Sequence, residues 1–430
     1  MQIFNWHELD DINRNRVLSR AAIEAGRVAE SVKSVVDKVR YGGDAALREL
    51  SSTFDGYDGP LARVPGAKLK AAADALSPEM RKALDEAIAA ITAFHRAQLP
   101  QGVRVETRPG VVCEQLWRPI ERVGLYVPGG TAPYFSAVLM LAIPARLAGC
   151  RTRLLCTPPG KDGSINPVIL AAADMCGVDQ VWPIGGAQAV AAMAFGTETV
   201  PKVDKIFGPG NAYVTEAKQQ VAQAQDGAAI DMPAGPSEVM VVADSTANPA
   251  WVAADLLAQA EHNPDSQALC VTMDERIAAA VQEETVRQTA LLSRKECLQG
   301  SLRYSAILVV DDLETALLVV NRYAPEHLIL QIEKAFFFVE KIQNAGSVFM
   351  GPWSPETAGD YASGTNHVLP TYGYARAYSG LNVLSFMKSM TVQSLTREGL
   401  ASLAPALMEL AQAEGFDGHA AAVSIRLEAP

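Results

Sequence analysis

An acid and an imidazole stand side by side in the stretch RYAPEHLIL, where Glu326 and His327 follow Pro325 and precede an aliphatic run. Two interpretations are open. The pair can lie at the solvent-facing edge of a strand that the proline begins, or it can be a general acid/base pair on a strand-to-helix loop. Histidine suits proton transfer at neutral pH because its ordinary pKa is about 6.5. The second interpretation requires other reactive side chains nearby.

A second reactive pair lies in LLAQAEH, where Gln259 and His262 are three positions apart in a predicted helix. Side chains at this spacing share one helix face, so an amide oxygen and an imidazole nitrogen can both reach one divalent cation. A polar helix end is the simpler interpretation of this pair. His95 also lies in a helical stretch, where we expect a surface or interhelical histidine.

Two further segments carry histidine beside an acid. ETAGDYASGTNHVLPT places Asp360 and His367 in a loop rich in Gly and Thr, and AEGFDGH places Glu414 and His419 near the C-terminal end. An irregular connection and a frayed tail are the alternatives. Ordered loops of this kind commonly serve ligands. Together these segments supply imidazole, carboxylate and amide donors, a set that suits Zn²⁺ or a similar ion.

Four glycine-rich stretches each follow a predicted strand, and three of them enter a predicted helix. They are YVPGGTAPYF, PIGGAQAV, IFGPGNAYVT and DMPAGPSEV. Loops at the carboxyl ends of strands are where open α/β sheets bind ligands, and glycine lets the backbone approach a phosphate. The dinucleotide pattern GxGxxG is absent from the sequence. A nucleotide would therefore need a variant arrangement.

The surrounding chain predicts the elements that would position these residues. Residues 21–97 have helical periodicity, and from residue 123 strands alternate with helices in two successive rounds. Such alternation favours parallel sheets covered on both faces. We therefore expect two doubly wound α/β units, although no sequence repeat between them is visible.

The composition excludes several classes of protein. The chain has 430 residues, 49% of them hydrophobic, and a net charge of -11, which disfavours nucleic acid and anionic membranes as partners. It has neither an apolar run of about 18 residues nor a secretory h-region, so no membrane association or export is expected. Its six cysteines form no CxxC pair. We expect reduced thiols in a cytoplasmic protein.

Seven motifs in order make the sequence resemble the L-histidinol dehydrogenase family over nearly the whole chain. They are GLYVPGG, GGAQAVAAMAFGTETVPKVDKIFGPGN, DMPAGPSEV, AQAEHNPDSQ, APEHL, AGDYASGTNHVLPT and EGFDGHAAAV. The resemblance implies oxidation of L-histidinol through L-histidinal to L-histidine, the last step of histidine biosynthesis, in two NAD-dependent steps. It also implies one Zn²⁺ per subunit and an intertwined homodimer.

The resemblance also implies a fold and its division along the chain. The fold is α/β, with two incomplete Rossmann-like doubly wound domains, a helical N-terminal region and an extended C-terminal arm. Residues 1–20 would form an N-terminal arm, 21–125 with 238–381 the first domain, and 126–237 the second domain, on the NAD side. Residues 382–430 would form the arm that crosses to the partner subunit.

The resemblance assigns roles residue by residue. The zinc ligands would be Gln259, His262, Asp360 and His419, the last from the partner subunit. Glu326 and His327 would be the acid/base pair, and these six residues would line the substrate site with Ser237, His367 and Glu414. The NAD contacts would be Tyr126, Gln188 and Asn211.

These roles suggest a division of labour that adjacency alone does not establish. His327 would take the hydroxyl proton of the alcohol, and Glu326 would deprotonate the water that adds to the aldehyde. Zinc would hold the imidazole and amine of the substrate. The alternatives are a dehydrogenase of another amino alcohol, a zinc hydrolase and a non-enzymatic binding protein.

Overall fold

The computed structural model describes residues 1–21, 25–129, 132–233 and 235–428. The strands are β1 (Gln2–Asn5), β2 (Val103–Arg108), β3 (Val111–Pro119), β4 (Arg122–Tyr126), β5 (Thr152–Thr157), β6 (Gln180–Pro183), β7 (Lys205–Phe207), β8 (Ala229–Ile230), β9 (Glu238–Ala243), β10 (Gln267–Thr272), β11 (Ala306–Val309), β12 (His327–Gln331), β13 (Ser347–Met350) and β14 (Met387–Leu395).

The α-helices are α1 (Asp11–Val17), α2 (Ala25–Asp55), α3 (Gly66–Asp74), α4 (Pro78–Arg96), α5 (Phe135–Ala148), α6 (Pro167–Cys176), α7 (Gly186–Phe195), α8 (Ala212–Gln223), α9 (Pro249–Ala260), α10 (Glu275–Thr289), α11 (Lys295–Ser301), α12 (Leu313–Tyr323), α13 (Ala335–Val339), α14 (Glu356–Tyr361), α15 (Arg397–Ala413) and α16 (Asp417–Glu428). Short 3₁₀ turns at Trp6–Glu8, Tyr374–Arg376 and Val383–Phe386 complete the helical segments.

Two parallel sheets share one strand order. The five-stranded sheet runs β6-β5-β4-β7-β8, and the six-stranded sheet runs β11-β10-β9-β12-β13 with β1 added beside β11. In chain order each sheet is therefore third, second, first, fourth, fifth, which is the order of one Rossmann half with the next two strands. This confirms the predicted pair of incomplete Rossmann-like units. The two units therefore share one topology, although no repeat is visible in their sequences.

The central strands are buried on both faces because helices cover both sides of each sheet. β9 (EVMVVA) and β10 (QALCVT) are buried at every position. Such strands carry continuous apolar runs instead of alternating ones. Helix starts follow ordinary capping chemistry. Asn248 caps α9, where a proline occupies the first turn, and Asp312 caps α12 by accepting the N–H of Thr315 at 2.7 Å.

The chain divides differently from the predicted ranges. Helices α2, α3 and α4 pack on α5–α8 of the five-stranded unit, so assigning all of 21–125 to the other domain was wrong. Within that range β4 is the central strand of the five-stranded sheet. In the segment 1–20, predicted as an N-terminal arm, β1 pairs with β11 of the six-stranded sheet. An amphipathic helix has one buried face, but its sequence does not say which sheet covers it.

The C-terminal segment leaves the two parallel sheets. β14 pairs antiparallel with β3, and β2 completes this three-stranded sheet, whose outer strands are largely exposed. Helices α15 and α16 pack on each other beyond it. The crossing of this arm to a partner stays a prediction.

Two sequence expectations concern the remaining features. The six cysteines, all within the described ranges, are free. In the part of the chain that the structure describes, no helix combines the length and apolar character needed to cross a bilayer.

Candidate active site

Glu326 and His327 lie at the start of β12, in the interior of the six-stranded sheet. β12 pairs with β9 on one side and β13 on the other, and the two side chains are 6% and 4% exposed. The solvent-facing edge interpretation was therefore wrong. The expected strand-to-helix loop was wrong too, because the pair follows α12 and precedes a strand. Buried Ala324, in the left-handed region at φ 55°, ends α12 and turns the chain toward the pair.

The backbone of Glu238 holds both members of the pair. Its N–H donates to Oε2 of Glu326 at 2.9 Å, and its carbonyl oxygen lies 3.3 Å from Nδ1 of His327. The buried carboxylate of Glu238 forms an ion pair with Arg20 and accepts the hydroxyl of Tyr323 at 2.9 Å. This buried ion pair between Glu238 and Arg20 thus fixes the start of β9 next to the acid/base pair.

Two helices bring side chains of the types that can bind a metal ion to this same edge of the sheet. α9 connects the parallel neighbours β9 and β10, so it must run back and end near the strand starts. It delivers Gln259 and, just past its end, His262. α14 follows β13 and delivers Glu356 and Asp360. Ligand atoms of His262, Glu356 and Asp360 all lie within 4.8 Å of one another, which is close enough to share one cation.

His367 extends this cluster from the GTNHV loop. Its Nδ1 lies 3.8 Å from Oδ1 of Asp360, and its buried Nε2 has no hydrogen-bond partner among the described residues. Asn366 anchors the loop by donating to the carbonyl of Met140 at 2.8 Å, and it also contacts Nε2 of His95 at 3.3 Å. His95 is fully buried, so the surface interpretation of this histidine was wrong. The buried Nε2 of His367, without a hydrogen-bond partner among the described residues, is a candidate to bind a ligand atom.

Burial sets the protonation states in the cluster. It lowers the pKa of His327 to about 4, so this imidazole is neutral at pH 7. Burial likewise raises the pKa of the Glu326 carboxyl well above its ordinary value. Burial would also raise the pKa of Asp360, but the imidazoles of His367 and His327 lower it below its usual range. The neutral imidazole of His327 thus lies beside the ionised carboxylate of Asp360 and the carboxyl group of Glu326, whose pKa is raised.

Three predicted substrate residues have different positions. Ser237 is half-buried beside Glu238, and its carbonyl accepts the N–H of Gln267 at 3.1 Å. Glu414 and His419 are exposed on the C-terminal arm, where the His419 ring packs against Phe416 at 5.1 Å. None of the contacts found among the described residues joins Glu414 or His419 to the cluster of the same chain. All the remaining residues that were predicted as zinc ligands or as the acid/base pair lie together in the structure.

The predicted NAD residues belong to the five-stranded sheet and the helices that cover it. The hydroxyl of Tyr126, at the end of β4, accepts the N–H of Gly186 at 3.0 Å, and Nε2 of Gln188 lies 3.3 Å from Oδ2 of Asp55. Tyr126 and Gln188 are buried. Their side chains therefore fix the glycine-rich turn before α7, and direct contact with a cofactor stays a prediction.

The third glycine-rich loop is fixed by a buried ion pair. Lys218 donates to the carbonyl of Gly208 at 2.9 Å, and Asp231 accepts the N–H of the same glycine at 2.8 Å. Nζ of Lys218 and Oδ1 of Asp231 are 2.5 Å apart. Asn211 then caps α8 by accepting the N–H groups of Tyr213 and Val214, both at 3.1 Å. The loop is thus held in a fixed shape at a helix N-terminus, which favours an anion.

A contact between α5 and α14 links the two sheet units beside the metal-type cluster. Phe135, at the start of α5, packs on Tyr361 with ring centroids 6.4 Å apart, and Tyr361 follows Asp360. The strand order of the six-stranded sheet reverses between β9 and β12, and the segments after these strands, 244–248 and 332–334, contain no glycine. The glycine-rich loops that follow strands at a sheet reversal therefore belong to the five-stranded sheet, beside the cluster.

Sequence reasoning missed Glu356, Glu238 and Arg20. Glu356 carried a usable signal, because it lies four residues before Asp360 and such residues share a helix face. Glu238 directly follows the predicted contact Ser237. Arg20 gave no signal, since 218 positions separate it from its partner carboxylate.

The fold and the site define a doubly wound α/β protein with a buried acid/base pair beside a metal-type cluster. The family model for histidinol dehydrogenase matches residues 18–427. The chain is 52% identical to histidinol dehydrogenase of Vibrio parahaemolyticus serotype O3:K6 (strain RIMD 2210633) over 100% of this chain and 99% of the relative. It is 53% identical to that of Xylella fastidiosa (strain Temecula1 / ATCC 700964), with 99% of each covered.

A solved structure agrees with these relatives. The crystal structure of histidinol dehydrogenase from Elizabethkingia anophelis superposes with a TM-score of 0.94 at 46% identity, covering 100% of this chain and 98% of that one. The chain belongs to the histidinol dehydrogenase family and is therefore an oxidoreductase of histidine biosynthesis.

Proposed function

We propose that the protein oxidises L-histidinol to L-histidine through L-histidinal, with NAD⁺ as oxidant and Zn²⁺ as a resident ion. The observation that carries this proposal is the buried Glu326–His327 pair beside the cluster of His262, Glu356 and Asp360. Imidazole and carboxylate donors suit Zn²⁺, and the orphaned Nε2 of His367 leaves a polar atom for the substrate. When bound, zinc would hold the substrate through the imidazole and amine, and NAD⁺ would accept one hydride in each step.

The reaction balances as two oxidations. In the first, the alcohol loses a hydride and a proton, and neutral His327 takes the proton from the hydroxyl. In the second, one water adds to the aldehyde, and a second hydride and two protons leave, giving the carboxylate. The Glu326 carboxylate would take the first of these protons, from the water as it adds, and the second is released to solvent. Tyr126, Gln188 and Asn211 would hold the cofactor on the glycine-rich side, and Ser237, His367 and Glu414 would contact the substrate.

The remaining ligand would come from a second copy of the chain. Gln259, His262 and Asp360 lie in one cluster, whereas His419 and Glu414 are exposed on the C-terminal arm. We therefore propose a homodimer in which the arm of each subunit supplies these two residues to the other site. The free cysteines fit a reducing compartment, so we place the enzyme in the cytoplasm.

Stoichiometry tests the reaction. Zinc-loaded protein is mixed with L-histidinol and NAD⁺, and NADH is followed by absorbance while histidine is quantified. Two NADH per histidine are expected. One NADH with accumulating aldehyde would indicate another amino alcohol as the substrate, and ligand binding without NADH would favour a zinc hydrolase or a binding protein.

Variants test the assigned roles. Glu326→Gln should keep the metal and slow the conversion of added L-histidinal by about 10²- to 10⁴-fold. His262→Asn should lose metal and activity together. His7→Asn, which changes an exposed histidine outside the site, is the matched control and should behave as the unchanged protein. A normal histidinal rate in Glu326→Gln would refute the role given to Glu326.

A further inference from the structure

Glu356 is a completely buried carboxyl group that the acid/base chemistry above does not use. It is the first residue of α14 and is 1% exposed. One of its oxygens lies 3.7 Å from Nδ1 of His327, and its carboxylate belongs to the group that surrounds the metal position. A buried ionisable side chain is expensive unless it has a partner. The partner of Glu356 is the amide of Gln259.

The Gln259 amide contacts only hydrogen-bond acceptors on one side. Its side chain is fully buried, and the atom on that side lies 2.6 and 3.2 Å from the two oxygens of Glu356 and 3.0 Å from Nδ1 of His327. An amide oxygen there would face the two carboxyl oxygens of Glu356, whereas the amide nitrogen can donate to them. The nitrogen therefore occupies this side, and the oxygen is the atom left for another partner.

This orientation matters because a metal ion binds an amide through its oxygen. Gln259 can rotate its amide by half a turn at little steric cost, since the oxygen and nitrogen are nearly the same size. Without a group that distinguishes the two ends, the nitrogen would face the ion in part of the molecules. Groups that orient metal ligands in this way commonly change metal affinity by 10- to 100-fold when they are removed.

We propose that Glu356 is a positioning residue whose carboxyl group holds the amide nitrogen of Gln259 and thereby presents the amide oxygen to the metal ion. The inference rests on the proposed metal site. The distances alone are compatible with two roles, because an oxygen of Glu356 could either orient Gln259 or itself bind the ion. Under the proposal Glu356 acts only through Gln259.

Metal binding tests this role without relying on turnover. Co²⁺ is titrated into metal-free protein, and the affinity and the visible absorption spectrum are recorded. Glu356→Leu should weaken Co²⁺ binding by about 10- to 100-fold and alter the spectrum. Glu356→Gln should stay within roughly threefold of the unchanged protein, because its amide oxygen still accepts the Gln259 N–H. Glu356→Ala is measured as well, in case the leucine variant does not fold.

A double-substitution cycle identifies the route of the effect. Gln259→Leu should weaken Co²⁺ binding. Adding Glu356→Leu to it should cause no further loss of affinity, because the Gln259 amide through which Glu356 acts is already absent. An additive loss, or a tenfold loss in Glu356→Gln, would overturn the proposal in favour of direct ligation. Unchanged affinity in the leucine and alanine variants would overturn it in favour of a packing role. If the unchanged protein binds no Co²⁺, the proposed metal site itself fails, which is a distinguishable result.

Discussion

Replacing Asp255 with asparagine should stabilise the protein, and the gain should grow as the pH rises from 5 to 8. Asp255 lies in α9 and is 6% exposed, and its Oδ2 is 3.4 Å from Nε2 of Gln331. Burial raises the pKa of this carboxyl from 3.8 to about 7. Asparagine keeps an oxygen for Gln331 and never ionises. The substitution therefore removes the cost of a buried charge.

The sign and size follow from linkage. Between pH 3.8 and about 7 the folded state keeps a proton that the unfolded state has lost, so stability falls as the pH rises through this window. At about 1.4 kcal/mol per pKa unit, the full penalty above pH 7 is on the order of 4 kcal/mol. Roughly a third of it is present at pH 5. For a chain of this length, 4 kcal/mol corresponds to roughly 4 °C in Tm.

Thermal unfolding at pH 5 and pH 8, at one protein concentration, measures the effect. The Asp255→Asn variant should melt a few degrees higher at pH 8 and only about one to two degrees higher at pH 5. Asp58→Asn, which changes an exposed aspartate, should show no pH-dependent gain. An equal gain at both pH values, or none at pH 8, would refute the reasoning that a buried carboxylate causes the penalty.

The glycine-rich side of the molecule gives two further predictions. Lys218→Met leaves the carboxylate of Asp231 buried without its partner and should lower the free energy of unfolding by about 3–5 kcal/mol in urea titrations, whereas Lys82→Met, on the surface, should not. Gly208→Ala puts a Cβ 2.1 Å from a carbonyl oxygen of β4, at a residue whose φ is 121°, so the loop must move. The affinity for NAD⁺, measured by calorimetry, should therefore fall. Gly66→Ala, which has open space around it, should leave this affinity unchanged.

Local patterns in the sequence predicted the elements and most of the site. Short apolar runs that alternate with helical segments predicted the strands, and the three-residue spacing of Gln259 and His262 predicted that they share one helix face. These features depend on residues close in sequence. Their convergence near Asp360 and His367 did not follow from spacing; it came from resemblance to a family, and the structure brings these side chains together.

Strand order was the information that the sequence lacked. The Glu326–His327 pair looked like an edge feature because proline and two polar residues precede an aliphatic run, yet β12 lies between two partners. The contact between Arg20 and Glu238 is equally invisible, because nothing local to either residue indicates the other. Pairings over hundreds of residues follow from tertiary packing, which single-sequence periodicity does not encode.

The pairing of β1 with β11 has a consequence for synthesis on the ribosome. Gln2 is opposite Ala306, so the first strand to leave the exit tunnel waits for some three hundred residues before its neighbour exists. The five-stranded sheet, drawn entirely from residues 122–230, can close long before that. Nascent chains should therefore carry one finished sheet and an unpaired N-terminal strand, since non-local pairing is the slow part of folding. Of the two parallel sheets, the later one to form is the one that holds the acid/base pair, so a chain truncated before β12 is folded in part but lacks the reactive residues.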